Sequence, residues 1–446
     1  MESLLSSSDL HALCLVNKAL RTLAEPFLYS KIQWTWAREE SPPPITLLLR
    51  SISRRPQLAA YIRIAIFEGK RYGMIFYKTA KLPVSIAELD ELVAFVRNIK
   101  LPCRDFWIKE LRSGTVDAFV ALLLSRLSNL TFLRLEPNFW QESRFIGLML
   151  RSALCAESAD YELPKFEHLR AVYVDEFFDA SHESRVNQRR GPPFVTNTAD
   201  VLPFFYLSTV KSISASIDNP VTFAWPAAHP PAASRLVSLD LTRIREAHLG
   251  QLLEVTPKLE TLRWGWYYDS TLKTREPCNT GIIDLDQNGA AISYVRSTLT
   301  DLTIIAGYCM YDRVTSKGSL RALVQCDKLK SLEAPWPFLM GWLPEGAMQL
   351  KDVMPRNIEF LTITDDMSLE DDYKWHDDDA KLQKIQSWLE NWRTHTPHLR
   401  CVALGIRDSS DYGWDEIRDE FKELSARVGM RIEVIELDYS RPVWGP

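Results

Sequence analysis

The chain has 446 residues, of which 46% are hydrophobic and 25% are charged, a composition typical of a folded globular protein with a large core. The net charge of -5 and the pI near 6.0 argue against non-specific nucleic-acid binding, which needs a dense positive surface. The longest apolar runs, FVALLL and FIGLML, are far shorter than the roughly 20 residues that cross a bilayer. Seven scattered cysteines without a CxxC pair favour reduced thiols, so we expect a cytoplasmic or nuclear protein that binds neither nucleic acid nor membrane.

Two short helices are predicted within the segment DLHALCLVNKALRTLAEPFLYSKI, which runs from Asp9 to Ile32. Ser8 or Asp9 can N-cap the first helix. Glu25 followed by Pro26 predicts a second helix start, with a short helix continuing to Ile32. The apolar residues fall on two faces, Leu10, Leu13, Val16 and Leu20 on one and Leu15, Ala19 and Leu23 on another. On so short a unit, we expect one face to pack inward and the other to contact a partner.

This segment resembles the second and third helices of the F-box of fungal proteins, whose general form is DLxxLxLVxKxxRxLAxPxLYxxI. We expect the first F-box helix to be truncated, because only eight residues precede Asp9. The resemblance implies binding to a Skp-family adaptor and, through it, to a cullin. The residues implied to contact the adaptor are Leu10, Leu13, Val16, Leu20, Pro26, Leu28 and Tyr29. The alternative is a helical hairpin that caps the protein's own core.

A proline-rich stretch follows this unit and predicts a boundary. Ser41 and three prolines predict a rigid extended linker or a turn, since proline fixes φ and lacks an N–H donor. A helix is predicted through Leu47, Leu48, Leu49 and Ile52, and an alternating strand from Tyr61 to Phe67. Two later segments, 181–198 and 226–233, have the composition of loop insertions.

After residue 129 the phrase LxxLxL recurs at irregular intervals of roughly 23 to 41 residues. Each copy predicts a short strand whose two final apolar residues point into the core. Helical segments precede most copies, at 115–127, 246–255, 317–325 and 382–392. The copies begin at Leu130, Leu169, Val210, Leu236, Leu259, Leu299, Leu329, Ile358, Leu399 and Ile432. These phrases resemble the irregular leucine-rich repeats of F-box proteins.

The predicted fold class is therefore α/β, an F-box-like helical hairpin followed by an irregular leucine-rich-repeat solenoid with a parallel concave sheet and outer helices. We expect three parts: residues 1–40 as the helical unit, 41–128 as linker and first repeats, and 129–446 as the solenoid. The alternative is a single α/β domain whose parallel strands happen to carry leucine.

Sequence motifs for catalysis and metal binding are mostly absent. We find no GxGxxG, GxxxxGK[ST], GxSxG or HExxH, so we predict no enzyme, no cofactor and no metal. His395 and His398 are expected to be structural, and the acidic run 365–379 is expected to be a solvated loop.

Aromatic residues after the strand phrases, and the outward positions of the strands, are the candidates for binding a protein target. Large rings beside arginine make good contact residues at the rim of a solenoid, although they could equally cover the ends of a long core. The candidate target-binding residues are Arg134, Tyr173, Arg263, Trp264, Trp266, Tyr267, Trp336 and Phe360. Further outward strand positions are Phe132, Thr261, Glu333 and Thr362.

The resemblance implies a substrate-recognition subunit of a Skp-cullin-F-box ubiquitin ligase, with the solenoid holding an unknown protein substrate. A repeat scaffold without ligase coupling is the main alternative. An enzyme with an unrecognised site is a third possibility, and it would require titratable side chains that converge in a cleft.

Overall fold

The computed structural model describes residues 5–36, 40–69, 81–84, 86–99, 101–136, 138–140, 144–156, 161–174, 197–268, 270, 278–308, 312–344, 346–367, 373–375, 378–406 and 414–436. Within these residues the fold is mixed α/β, with helices and twelve strands of parallel sheet. The chain forms two compact units. The first comprises Met1–Phe178, Asn187–Ile217 and Ala224–Leu236, and the second comprises Asp179–Val186, Asp218–Phe223 and Val237–Pro446.

The first unit has five parallel strands, which pair in chain order, β1 with β2, β2 with β3, β3 with β4 and β4 with β5. The strands are β1 (Lys31–Trp36), β2 (Ile64–Gly69), β3 (Phe132–Leu135), β4 (Ala171–Val174) and β5 (Ser212–Ser216). The described helices are α1 (Ser7–Val16), α2 (Lys18–Leu28), α3 (Ile45–Arg54), α4 (Gln57–Tyr61), α5 (Ile86–Asn98), α6 (Arg104–Arg112), α7 (Val116–Leu124), α8 (Phe145–Leu154), α9 (Thr198–Val201) and a 3-10 turn, Leu202–Tyr206.

The second unit has seven strands in one parallel sheet and a small two-stranded parallel sheet. The large sheet contains, in spatial order, β6 (Ser238–Thr242), β7 (Thr261–Tyr268), β9 (Asp301–Tyr308), β11 (Ser331–Pro335), β12 (Phe360–Thr364), β13 (Cys401–Ile406) and β14 (Arg431–Glu436). The small sheet pairs β8 (Ile282–Asp284) with β10 (Thr315–Lys317). The described helices are α10 (Glu246–Glu254), α11 (Leu285–Ile292), α12 (Trp336–Met340), α13 (Asp378–Leu389), α14 (Trp392–His395), α15 (Trp414–Val428) and 3-10 turns at Ser293–Val295, Leu320–Gln325 and Leu350–Asp352.

The repeated phrase is confirmed as a strand at all ten predicted positions, in β3 to β7, β9 and β11 to β14. In β3, for example, Leu133 and Leu135 are fully buried, whereas Phe132 and Arg134 are only half-buried. The covered residues alternate with residues of the opposite face, which we call the open face. This face is only partly accessible, because Ser214 on β5 and Asp240 on β6 lie on it and are buried. The predicted helices are also present, except that the segment after β10 forms the 3-10 turn Leu320–Gln325 instead.

A helix that is buried on all sides, α7, packs against α3, α6 and α8 in the first unit. Every residue of α7 is buried, including Asp117. The carboxylate of Asp117 accepts hydrogen bonds from the backbone N–H groups of Phe145, at 2.8 Å, and Ile146, at 3.4 Å. Asp117 therefore caps the N-terminus of α8, whose own N-cap residue, Arg144, makes no capping hydrogen bond with its side chain.

The predicted break at Glu25 and Pro26 is wrong. α2 runs through Pro26 to Leu28, and the break between the helices lies at Asn17, whose side chain accepts from the N–H of Leu20 at 2.8 Å. Ile32 belongs to β1 and not to a helix, so residues 31–36 are part of the sheet rather than of the helical unit. Because proline has no N–H, the carbonyl of Thr22 lacks its usual i+4 backbone donor within α2, and only the last two residues of the helix follow Pro26.

The segment after the prolines agrees with the sequence in its helix and differs in its strand. α3 is confirmed, but the predicted strand from Tyr61 begins only at Ile64, after the short helix α4. The insertion at 226–233 has no regular structure and is fixed by a 2.7 Å hydrogen bond from the Tyr206 hydroxyl to the His229 carbonyl. The insertion at 181–198 lies outside the described residues except for its last two positions.

Candidate functional site

The two N-terminal helices form a hairpin with well-defined ends. Ser6 caps α1, since its side chain accepts from the N–H of Asp9 while the Asp9 carboxylate accepts from the N–H of Ser6. Hydrogen bonds from Ser6 hold the pKa of Asp9 below its usual value. The N-cap is therefore Ser6, which lies two residues before Ser8 and three before Asp9, the two predicted caps.

The hairpin is fixed to the rest of the first unit by a buried carboxylate. Both oxygens of Glu25 accept hydrogen bonds from the guanidinium of Arg55, and the Nη1–Oε1 distance is 2.8 Å. Arg21 adds a longer contact of 3.4 Å from the same helix. The hydrogen bonds from Arg55 lower the pKa of Glu25, so this side chain remains ionised at neutral pH. Glu25 therefore acts as an anchor and not as the predicted helix cap.

One face of this anchored hairpin is apolar and exposed, and we call it the hairpin face. Leu23 is 68% exposed, and Phe27, one helical turn further along α2, is 62% exposed. Leu15 and Val16 at the end of α1 are 73% and 66% exposed. Exposed Ala19, Leu23 and Phe27 follow one another at four-residue spacing and form an apolar stripe along α2, and Leu15 and Val16 add exposed apolar surface at the end of α1.

The adaptor-contact residues implied by the resemblance are divided between the two faces. Val16 lies on the hairpin face, but Leu10 is only 6% exposed and packs within the hairpin, so it supplies no surface for a partner. Leu13, Leu20, Pro26, Leu28 and Tyr29 are half-buried. Leu20 and Leu28 are four residues on either side of buried Ala24, which makes them the inward stripe of α2. The second apolar set seen in the sequence, with Leu15 and Leu23, is the exposed one.

Three of the predicted target-binding aromatics are buried, so their proposed place on a binding surface is wrong. Trp264 and Trp266 are 0% and 1% exposed, because β7 continues to Tyr268 and its period of two turns both rings inward. Trp264 Nε1 donates to the Ile244 carbonyl at 2.8 Å. Trp336 is 3% exposed and packs edge-on against Trp375 with ring centroids 5.2 Å apart. These rings belong to the core, the alternative stated from the sequence.

The remaining candidates lie on the open faces. In the first unit, Gln33, Ile66, Arg134, Tyr173 and Ser214 form one cross-strand row. Arg134 lies 2.9 Å from Glu136, and the Tyr173 ring lies 5.2 Å from the ring of Phe132. This mixture of arginine, aromatic and aliphatic side chains is typical of protein-binding surfaces.

The open face of the second unit is more polar. Phe360 is 46% exposed, with Ser331 beside it on β11. Glu333 and Thr362 are half-buried neighbours in the next row, and Thr261 is exposed on β7. Arg263 is oriented by Asp240 at 3.9 Å. Tyr267 is half-buried near the end of the same strand.

Sequence reasoning missed a buried arginine in the second unit. Arg245 has no exposed surface, and its guanidinium donates to Glu246, Asn279 and the carbonyls of Thr280 and Ile282 at 2.7–3.2 Å. The guanidinium carbon also lies 4.9 Å from the ring of Trp266. The backbone N–H of Arg245 donates to Asn219. This network joins α10 to the strand β8 and is structural.

A thiol and an imidazole approach each other in the second unit, at Cys278 and His248. The distance from Sγ to Nε2 is 3.7 Å, but the same Nε2 lies 3.0 Å from the carbonyl oxygen of Pro220. A carbonyl only accepts, so Nε2 carries the hydrogen and cannot take the proton of the thiol. Burial lowers the pKa of His248 and keeps the ring neutral. This pair therefore lacks the geometry of a thiol–imidazole nucleophile.

Across the described ranges, no three His, Cys, Asp or Glu side chains are placed to hold a metal ion. His395 and His398 are exposed. In the acidic run 365–379, Asp366 is only 4% exposed and its carboxylate accepts from the backbone N–H of Ala306 at 3.1 Å, so the expected solvated loop is wrong at this residue. Residues 368–372, 376 and 377 of the run lie outside the described residues. No helix in the described part of the chain has the length and apolar character needed to span a membrane.

No protein-family model matches this chain, and a search of curated proteins finds no match. The inferences below therefore depend on the hairpin face, the open faces and the resemblance of the N-terminal segment.

Proposed function

We propose that this chain is a substrate-recognition adaptor subunit of a Skp-cullin-F-box type ubiquitin ligase. The hairpin face of α1 and α2 binds a Skp-family adaptor and, through it, a cullin, while the sheet domain binds a protein target. The observation that carries this proposal is the exposure of Leu15, Val16, Leu23 and Phe27 on a hairpin that is anchored to the body of its unit by Glu25 and Arg55.

An exposed stripe of this size favours a binding surface because it is costly to leave in water. Fully burying one large apolar side chain contributes about 1.5–3 kcal/mol. Four such residues, each 62–73% exposed, can offset a large part of the about 4–15 kcal/mol that association costs. A helix that presents an apolar stripe at i and i+4 spacing fits the groove of a partner protein.

The strand order supports the second half of the proposal. Within each unit the paired strands follow one another in sequence and run parallel, which is the order that a leucine-rich-repeat-like solenoid with outer helices requires. On this proposal the chain performs no chemistry itself, and it accelerates ubiquitin transfer by holding the target close to the other subunits.

Co-expression with a Skp-family adaptor, followed by purification through a tag on this chain, tests the first half. We expect the wild-type chain to retain the adaptor and Leu23→Asp to lose it, because a charge would be buried without a partner. Leu343→Asp is the matched control, since Leu343 is also exposed, at 49%, but lies outside the hairpin. Equal retention by wild type and Leu23→Asp would contradict the adaptor role.

A repeat scaffold without ligase coupling is the second candidate. It is supported by the open faces, whose residues do not depend on the hairpin for their exposure. This candidate would be favoured if the wild-type chain does not bind the adaptor and its sheet domain still captures a protein.

A further inference from the structure

The amino-terminal rim of the sheet in the first unit carries a row of positive charges. The backbone N–H of Thr131 donates to the carbonyl of Arg63, that of Arg170 to Thr131, and that of Lys211 to Arg170, at 2.7–2.9 Å. These residues therefore stand side by side just before β2, β3, β4 and β5. Arg63, Arg170 and Lys211 are exposed, and we call them the cationic row.

No described carboxylate pairs with the cationic row. Glu167 is exposed nearby in sequence to Arg170, but none of the three cations makes an ion pair within 4.0 Å in the part of the chain that the structure describes. Arg170 and Lys211 lie on neighbouring strands, about 4.8 Å apart along the hydrogen-bonding direction. Like charges directly across a strand pair destabilise a sheet, so this arrangement has a cost that a bound anion would relieve.

The second unit provides an internal comparison, because the same position there is neutralised. Its corresponding row contains Lys330, Glu359 and Arg400, joined by the same backbone hydrogen bonds. Glu359 pairs with Lys330 at 3.2 Å and with Arg400 at 3.2 Å. Charged residues at this rim can therefore form ion pairs between neighbouring strands. The first unit differs because the charged residues of its row are all cations.

The composition of the units agrees with this difference. Basic residues outnumber acidic ones in the first unit, and the reverse holds in the second, so the second unit is more negative than the whole-chain charge of -5. Beside the cationic row, the open face presents Ile64, Phe132 and Ala171 on three adjacent strands. A partner that fits both features has acidic side chains interspersed with apolar ones.

We infer that the cationic row and the adjoining open face of the first unit bind an acidic segment of another protein. The inference depends on the proposed function only in treating that protein as the target. Three strand spacings from Arg63 to Lys211 span about 14 Å, the reach of four or five extended residues. Acidic side chains of the segment pair with the row, and its apolar side chains contact Phe132 and its neighbours.

Fluorescence anisotropy on the full chain tests this inference without any adaptor. The probe is a labelled twelve-residue peptide in which two glutamates alternate with one phenylalanine, and its control has glutamine at every glutamate. We expect the glutamate peptide to bind more tightly, with an affinity that falls as salt rises from about 0.05 to 0.3 M. Arg170→Gln with Lys211→Gln should weaken binding about fivefold, because two exposed cations that would pair with the glutamates are removed.

The matched control is Lys330→Gln with Arg400→Gln, which removes the same charges from the neutralised row and should leave peptide affinity unchanged. Equal affinity for the two peptides, or equal losses in both double variants, would overturn the inference. So would tighter, row-dependent binding of a single-stranded oligonucleotide, which would make the row a nucleic-acid site. Adaptor co-purification by the Arg170→Gln, Lys211→Gln variant is expected to remain normal, so failure here is distinct from failure of the adaptor role.

Discussion

The anchor between Glu25 and Arg55 should determine whether the hairpin stays folded on its unit. Glu25→Gln keeps the shape of the side chain and removes its charge, so the hydrogen bonds from the guanidinium lose their ionic character. A hydrogen bond to a charged group contributes about 1.5–3 kcal/mol when buried. The side chain of Glu25 is 10% exposed but that of Arg55 is 35% exposed, so solvent screening reduces the expected loss to about 1–2 kcal/mol.

Hydrogen exchange followed by mass spectrometry measures this loss locally. A change of about 1–2 kcal/mol should accelerate amide exchange in α1 and α2 by roughly 5- to 30-fold, with little change in α7. Arg21→Met is the matched control, because its 3.4 Å contact comes from a side chain that is 53% exposed and contributes about 0.2–1 kcal/mol. Unchanged exchange in the hairpin of Glu25→Gln would refute the anchoring role.

The same pair predicts a pH dependence. The folded-state pKa of Glu25 lies below its ordinary value of 4.5, so its contribution is complete above that pH and is lost as the pH falls through the folded value. The difference in unfolding free energy between wild type and Glu25→Gln, measured by urea titration, should therefore shrink below about pH 4.5. A constant difference down to pH 3 would contradict the ionised anchor.

Three further substitutions test the packing. Arg245→Met leaves the Glu246 carboxylate buried without its partner and should lower the unfolding free energy by about 3–5 kcal/mol in urea titration. Gly147→Ala places a Cβ 2.1 Å from Asp200 Oδ1 and should destabilise by about 1–3 kcal/mol, whereas Gly250→Ala meets only ordinary contacts and should be neutral or stabilising in thermal melts. Asn17→Ala removes the cap of α2 and should cost about 1 kcal/mol of local stability, seen as faster exchange of the Leu20 amide.

The sheet could be predicted from the sequence because its signal is local and repeated. Each strand carries two apolar residues at i and i+2, and burial of Leu133 with Leu135 shows the alternation directly. The strand β1 could not be predicted in the same way. Its segment KIQWTW follows the apolar helix pattern after only Tyr29 and Ser30, and pairing with β2 fixes it as a strand.

The hairpin shows where periodicity stops being informative. Two apolar stripes were visible, but the sequence alone does not say which one the molecule covers. Packing within the hairpin buries Leu10 and Ala24 and leaves Leu23 and Phe27 exposed. Glu25 and Arg55 are 30 positions apart in the chain, and neither their residue types nor their spacing predicts that they form an ion pair. The predicted surface position of Trp264 and Trp266 is wrong for a related reason. β7 extends to Tyr268, so both side chains belong to the strand and point to its buried face.

The most direct test of the adaptor role is a titration of the purified chain with a purified Skp-family adaptor by isothermal calorimetry. We expect measurable 1:1 binding with a negative heat-capacity change, because apolar surface is buried. Leu23→Asp should weaken the affinity by tenfold or more, since each 1.4 kcal/mol corresponds to about a factor of ten, and Leu343→Asp should not. No binding by the wild-type chain, or equal binding by Leu23→Asp, would contradict the proposal that the hairpin face is the adaptor site.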